Sequence, residues 1–465
     1  MIVTIPARVE SFCERFQGEL SESKRQALGA LLSGYLLTSG KRTQSAVGRE
    51  VLDGERAPSS ISRLMRRESF RTRDLARAEM KRQIEAEVTR AGGRQETWFL
   101  GIDGVASQRG GQTKVENAIK YRQKEKGRKG RSTKAHHLIM GLLITASGVR
   151  IPLPRRSYYT EAYINRQNRM LKLGQRQGQR LTYQTQVDLA CLIVKELKLP
   201  ENIRLVVLGD ELFEGTKLTG LCRKKGYVFI APVDSRRNFE SRGKLYARGK
   251  ALPRGAYREL VLRRGEEDTA SHRRHQPEGA GEKDRRVYRY HCERRTVAGT
   301  GEVAVVYSWK RRRDRSGRLT SRETFKVLVC SDPQLLGEED IEKIGAMIVE
   351  FFEMRWLIEV FFRELKSDLG LSDYQGTDFR AFERHVDLVL LSFMLLEQMR
   401  REELARTRSP IKRRELAIKR TSGMKARLAH EAHIADMTWF AKHVGKRNPL
   451  RHLSKLLSSA QGVPA

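Results

Sequence analysis

The sequence predicts an α/β protein: a mixed sheet flanked by helices, interrupted by a β-rich insertion, with a helical region at either end. Three observations carry this expectation. Apolar residues up to about residue 93 recur at helical spacing, and from Thr97 they switch to the short alternating runs of strands. Strand-like and helix-like runs then alternate as far as "YVFIAPV", the pattern of a sheet covered by helices on both faces. Between about Arg236 and Thr324 the composition shifts to Gly, Arg and Glu with broken apolar alternation, and the core pattern resumes at "TFKVLVCSD". The boundaries read from this are 1–93 for a helical N-terminal domain, 94–235 and 325–400 for the two parts of the core, 236–324 for the insertion and 401–465 for a basic helical C-terminal region.

In the N-terminal region Leu28, Leu31, Leu32, Tyr35 and Leu36 form an apolar stripe behind the capping candidates Ser21 and Ser23. The pair "TQSAVGREVL" and "SSISRLMRRESF", joined through Gly54 and Pro58, is similar to a helix-turn-helix. Its second helix would offer Ser62, Arg63, Arg66 and Arg67 to a DNA groove, which makes 1–93 the expected DNA-binding domain; a plain helical bundle with a basic face is the competing reading. Arg71 to Arg90 reads as one long charged helix, closed by Ala91-Gly92-Gly93.

The core opens with "TWFLGIDGV", an apolar strand ending in Asp103. A basic stretch from Lys120 to Lys134 follows, then the strands "HHLIMGLLIT" and "VRIPLPRRSYY", a helix over Tyr183–Leu199, and "IRLVVLGDELF", a strand ending in Asp210. Glu211 stands next to Asp210, and strand alternation would send the two to opposite faces. A helix over Lys217–Lys225 and the strand "YVFIAPV" complete the first part. Glu338-Glu339-Asp340 suits the start of the helix that runs on towards Lys366, and Phe379–Arg400 is a further apolar helix.

Net charge narrows the partner. At +35 over 465 residues the chain would repel itself unless a polyanion neutralised it, so nucleic acid leads and an anionic membrane surface trails. The most apolar runs, His137–Thr145 and Leu388–Leu396, are far shorter than the ~20 residues of a bilayer span. Charges at Arg8, Glu10, Glu14 and Arg15 interrupt any signal-peptide core, and the expected location is cytoplasmic, at the nucleoid. The cysteines at 13, 191, 222, 292 and 330 include no CxxC pair and read as reduced and buried; His272, His275, His291 and Cys292 have no common zinc spacing.

The stretch that organises the rest is "FFEMRWLIEVFFRELKSDLGL", Phe351 to Leu371. Read as one helix at about 100° per residue, it puts Phe352, Arg355, Glu359 and Lys366 within a sector roughly 60° wide, beside an apolar arc of Met354, Ile358, Phe361, Phe362, Leu365 and Leu369. Taken alone, that is also what an amphipathic helix with surface ion pairs looks like.

The string Arg355-Trp356, Ile358-Glu359, Phe361-Phe362-Arg363, Leu365-Lys366 and Leu369-Gly370-Leu371 resembles the YREK signature of bacterial insertion-sequence transposases, the DDE class with an RNase H-like catalytic core. In that signature Tyr, Arg, Glu and Lys are separated by two, three and six residues; Arg355, Glu359 and Lys366 match, and Phe352 stands where the family has Tyr. The resemblance implies an RNase H-like sheet in which the strands ending in Asp103 and Asp210 are neighbours. Asp103, Asp210 and Glu359 would then be the catalytic triad, ligating two Mg²⁺ ions, with Mn²⁺ as a substitute. Only anionic oxygens offset two hard cations about 3.5–4 Å apart.

By the same resemblance Arg355 and Lys366 would bind phosphates beside the scissile bond. Trp356, with Trp309 and Phe325, would stack on an unpaired base, and Phe352 would face the DNA. Lys310, Arg311 and Arg312, the stretch 120–134 and Arg236-Arg237 would track the backbone without reading sequence. The implied activity is binding of an element's terminal inverted repeats in double-stranded DNA, cleavage at its ends and joining of the 3′-OH ends to target DNA, by a homodimer in a paired-end complex. A nuclease without strand transfer and a catalytically silent DNA-binding relative are the alternatives.

Overall fold

The computed structural model describes residues 5–38, 40–43, 45–47, 63, 65–66, 71–109, 115–122, 132–175, 178–240, 243–263, 285–313, 318–408 and 421–443. Most of the expected helix-turn-helix therefore lies outside the described residues, with Ser62 and Arg67. So do most of the basic stretch 120–134, the middle of the insertion with His272 and His275, and the chain beyond His443.

Helix α1 spans Ala7–Glu14, α2 Glu22–Leu37 and α3 Thr72–Ala91. Strands β1 (Glu96–Arg109), β2 (Ile119–Arg122) and β3 (Ser132–Ile144) follow, then the short β4 (Arg150–Pro152) and β5 (Arg156–Ser157). Next come α4 (Glu161–Lys172), α5 (Gln186–Glu196), β6 (Ile203–Leu208), α6 (Thr216–Lys224), β7 (Val228–Pro232) and α7 (Leu245–Ala251). Strands β8 (Arg258–Arg263), β9 (Arg285–Val297), β10 (Gly301–Arg313) and β11 (Leu319–Cys330) precede helices α8 (Ile341–Glu353), α9 (Trp356–Ser367), α10 (Phe379–Arg406) and α11 (Thr421–His443).

The strands form one mixed sheet of eleven in the order β2-β3-β1-β6-β7-β11-β10-β9-β8, with β4 and β5 paired to β3. β1 and β6 are parallel, as are β6 and β7, whereas β7 meets β11 antiparallel. The expected insertion is thus continuous with the sheet: β8 to β11 extend it as antiparallel neighbours. None of the described helices is long and apolar enough to cross a membrane, and all five cysteines are buried and free.

Several expected elements differ, each for a local reason. "VRIPLPRRSYY" yields only the fragments β4 and β5, because Pro152 and Pro154 have no N–H to give to a ladder. Helix α4 was not apparent from the apolar pattern; it starts where the Thr160 side chain accepts the Tyr163 N–H at 3.3 Å. Helix α5 starts at Gln186, three residues later than the pattern suggests, because Thr185 and Asp188 form a reciprocal capping box.

The largest correction concerns Phe351–Leu371, which is not one helix. α8 ends at Glu353 and α9 starts at Trp356. Across the junction the bonds close over three residues: Arg355 N–H to the Phe352 carbonyl at 3.1 Å, Leu357 to Met354 at 3.0 Å and Ile358 to Arg355 at 3.1 Å. This tighter winding alters the angle between successive side chains, so a uniform 100° projection does not hold across the junction.

The chain divides into two compact units, one of Met1–Arg82, Ala106–His137 and Phe362–Ala465, the other of Gln83–Val105 and Leu138–Phe361. In the first, both ends of the chain contribute helices. α2 buries Leu28, Leu31, Leu32, Tyr35 and Leu36 and packs against α10 and α11. The Tyr35 hydroxyl meets His385 Nδ1 at 2.6 Å, and the other ring nitrogen meets the Gly370 carbonyl at 3.0 Å.

In the second unit, strand alternation builds a core on each face of the sheet. Val206, Leu208, Ala304, Val306, Leu328 and Cys330 face one side, where Ile344, Ile348 and Val349 of α8 cover them. Val303, Val305, Tyr307, Val327 and Val329 face the other, under Leu245 of α7. Gly345 lets α8 lie close: a Cβ there would fall 2.6 Å from Cys292 and 2.9 Å from Tyr290. The helix that leads to the site is thereby seated directly on the sheet.

Candidate active site

The parallel pairing of β1 with β6 runs as far as Gly101 opposite Leu208. Two residues further along each chain stand Asp103 and Asp210, so the two carboxylates leave neighbouring strands at the same level. Asp103 is still within β1, and one carboxylate oxygen accepts its neighbour's backbone N–H, Gly104, at 2.7 Å. Asp210 lies just past β6 and caps the short turn Glu211–Phe213, its carbonyl accepting the Phe213 N–H at 2.9 Å.

Glu359 comes from α9, in the same unit as the two aspartates. Gly101 sets how closely that helix approaches β1. A Cβ at Gly101 would sit 3.3 Å from the Cβ of Ile358, tighter than most real contacts, so glycine brings the first turns of α9 down onto the strand.

Arg355, at the junction of α8 and α9, sits among the three acids. Its Nη1 is 3.3 Å from an Asp103 oxygen and 3.1 Å from Glu359 Oε1, and its Nη2 is 3.4 Å from Asp210 Oδ1. The Arg355 side chain is 13% exposed, against 21% for that of Asp103, 39% for Glu359 and 45% for Asp210, so the arginine is the most buried side chain of the cluster. Without it, three like charges would converge in a half-buried hollow.

Burial pushes the Asp103 carboxyl up to about 6, against the pull of Arg355 and of the Gly104 N–H; the nearby Asp210 and Glu359 carboxylates add to the rise.

Lys326 on β11 is a further cation at this site, and the sequence reading passed over it. Its ammonium stands 5.5 Å from the centroid of the Phe352 ring. Crowding by the protein lowers its pKa, the neighbouring Arg355 charge lowers it further, and Asp210, Glu359 and Glu211 act in the opposite sense. The alternation of "FKVLVC" carried the signal: Lys326 is in phase with the buried Leu328 and Cys330, so a lysine occupies a position on the core face of its strand.

Asp210, not Glu211, reaches Arg355, but strand alternation is not the reason. Both residues lie beyond the strand, and the Glu211 side chain turns to Asp234 instead. Burial and that shared hydrogen bond raise its pKa, while Arg236 holds the Asp234 carboxyl low.

The remaining candidates are distributed as follows. Phe352, in the last turn of α8, is half-buried against the core cluster beneath that helix, with the Lys326 ammonium over its ring. Trp356 opens α9, half-buried. Lys366 is exposed in the last turn of α9 and belongs to the other unit. Lys310 pairs with Glu353 at 3.1 Å and lies over the Tyr288 ring at 5.1 Å; Arg311 stands 3.7 Å from Glu323, and Arg312 is in β10. Trp309 and Phe325 pack on each other with ring centroids 4.6 Å apart. Both alternate with Val327 and Tyr307 towards the α7 side, the sheet face opposite Lys326. Arg63 and Arg66 are helical and exposed.

Two aspartates and a glutamate are the oxygen donors that hard divalent cations take, so the acids fit such an ion in kind. Among the described residues, no three His, Cys, Asp or Glu side chains are grouped closely enough to hold a metal as they stand; these three are spread around the guanidinium.

The chain matches no protein-family model and no curated protein sequence.

Proposed function

We propose that this protein is a DNA transposase of the insertion-sequence type, which binds the terminal inverted repeats of its element, cleaves the ends and joins the 3′-OH ends to target DNA. The observation that carries the reading is the meeting of Asp103, Asp210 and Glu359 around Arg355, although they are separated by more than a hundred residues at each interval. An ordinary ion-pair network has no need of acids from two adjacent parallel strands and a helix held close by Gly101. The strand order β3-β1-β6-β7, with β1 parallel to β6, supports an RNase H-like core.

On this reading Asp103, Asp210 and Glu359 would hold Mg²⁺ or Mn²⁺, which when bound supplies an activated nucleophile and neutralises charge at the attacking and leaving oxygens. The chain's own contribution is positional. β1 and the end of β6 fix the two short aspartates, and α9 brings Glu359 to them. Arg355 balances the acids and offers a planar fork suited to a phosphodiester. The +35 net charge supplies affinity along the backbone. A homodimer on paired ends, and contacts by Arg63, Arg66, Arg67, Lys310, Arg311, Arg312 and Lys366, belong to the same proposal.

The test is direct. Purified protein is incubated with Mg²⁺ and duplex DNA carrying the sequences that flank its own gene, and nicks and joined products are mapped at nucleotide resolution. Nicks at a repeated sequence on both flanks, with strand-transfer products, support transposition. Nicks without joining favour the nuclease. DNA binding without any nick, in Mg²⁺ and in Mn²⁺, removes the enzymatic reading.

A further inference from the structure

We propose that Lys326 is a phosphate-binding residue of this site, held in place by the face of Phe352. The inference rests on the reading of the site as one that handles DNA.

Lys310 and Lys326, both on the sheet, sit over aromatic rings, and they differ in what else they touch. The Lys310 ammonium lies 5.1 Å from the Tyr288 centroid and is bonded to both carboxylate oxygens of Glu353, at 3.1 and 3.3 Å. Its N–H donors are already engaged by a carboxylate that it shares with Arg286. The Lys326 ammonium lies 5.5 Å from the Phe352 centroid, and among the described residues it makes no hydrogen bond and no ion pair. The acids nearest in charge, Asp210 and Glu359, are bonded to Arg355 instead.

Counting the acids that meet at Arg355, three carboxylates face one guanidinium, and Lys326 is the next cation. An incoming phosphodiester adds another negative charge. Arg355 has its donors engaged by three acids, whereas Lys326 keeps three N–H donors for a phosphate oxygen. Phe352 explains how the lysine is held without a carboxylate: a ring face attracts an ammonium but leaves its N–H groups free. Strand and helix fix the pair from both sides, since β11 places Lys326 opposite Ser308 and the last turn of α8 places Phe352. The residue at 352 thus reaches phosphate through the lysine seated on it.

The experiment compares the wild type with Lys326→Met, which keeps an apolar stem on the ring without the charge, and with Lys326→Arg. Two readouts are taken: cleavage of the gene-flanking duplex in Mg²⁺, with single methylphosphonates placed around the cut, and the salt dependence of binding to a random-sequence 30-bp duplex without metal. Lys326→Met is expected to cut on the order of 10- to 100-fold more slowly. It should lose sensitivity to one methylphosphonate that still slows the wild type and Lys326→Arg, and its salt slope should fall by about one phosphate. Unchanged cleavage and an unchanged slope in a folded Lys326→Met overturn the proposal. If that variant fails to fold, Lys326→Gln replaces it, with wild-type cleavage and slope overturning the proposal in the same way. A wild type that never cuts removes the transposase reading alone, because the salt slope still judges Lys326.

Discussion

Among the described residues, Arg8 and Arg355 each hold three carboxylates, and only the second cluster is proposed as an active site. In the helical unit, Arg8 of α1 meets Glu402 at 3.1 Å and Glu403 at 3.4 Å on α10, and Glu431 at 2.8 Å on α11. In the other unit, Arg355 meets Asp103, Asp210 and Glu359 at similar distances. The count of charges does not separate them. The origin of the acids does. Glu402, Glu403 and Glu431 are long, flexible side chains on helices, Glu403 buried and the other two partly exposed, and Arg427 bonds two of them as well, at 2.6 and 3.2 Å. Such a network ties three helices together and tolerates small shifts. Asp103 is a short side chain within β1 and Asp210 one just past the end of its neighbour β6, so the backbone itself positions their oxygens, and burial has made Asp103 a weaker acid. A carboxylate held where its charge is costly suits a group whose ordinary partner is a cation.

The sharpest way to break the comparison is to neutralise acids on each side. Asp103→Asn and Glu359→Gln should each slow metal-dependent DNA cleavage by on the order of a hundredfold or more, with DNA affinity changed by no more than a few-fold. Glu402→Gln should leave cleavage unchanged. Near-normal cleavage by either triad variant would remove the distinction.

Removing the arginines comes next. Arg8→Gln and Arg355→Gln should each lower stability by about 1–2 kcal/mol at neutral pH, as expected for partly exposed networks left with unbalanced acids. Millimolar Mn²⁺ should then raise the melting temperature of Arg355→Gln and leave that of Arg8→Gln where it was. Equal responses to Mn²⁺ would mean that the two clusters are of one kind.

A pH effect of intermediate size follows from Asp103. Its carboxyl is raised from the ordinary 3.8 to about 6, so between those values the folded protein holds a proton that the unfolded chain has lost. Stability of the metal-free protein should therefore fall as pH rises from about 4 to about 6, by at most about 3 kcal/mol, and level off above. Asp103→Asn should flatten that slope when unfolding free energies are measured across the range. An unaltered slope would place the titration elsewhere.

The smallest expected effect concerns the approach of α9. Gly101→Ala would bring a methyl group within 3.3 Å of Ile358, costing about 1 kcal/mol as the helix gives way by a few tenths of an ångström. Cleavage should suffer more than the melting temperature, because the displaced helix carries Glu359 and follows directly on Arg355.

The helices and strands with long, regular apolar patterns were legible in the sequence, because burial repeats every second or every third to fourth residue whatever the tertiary context. Asp340 at the start of α8 was also legible: its side chain accepts the Glu342 N–H at 2.9 Å. Asp210 was legible as an acid at the end of an apolar strand and Glu359 through the pattern around it; Asp103 was legible as an acid after an apolar run, but β1 continues past it to Arg109, where the apolar pattern gives no sign of a strand. The break between α8 and α9 was not legible, since the residues on both sides favour helix and only the sheet, Gly101 and the three acids reward the tighter turn at Arg355. Lys326 was hidden for the same kind of reason. Its strand phase is written in the sequence, but which ring lies above that phase depends on α8, and α8 is placed by packing. Local periodicity determined which residues would be buried together; where the charged groups at the edges of those elements meet was decided by the sheet order and by how closely the helices lie on it.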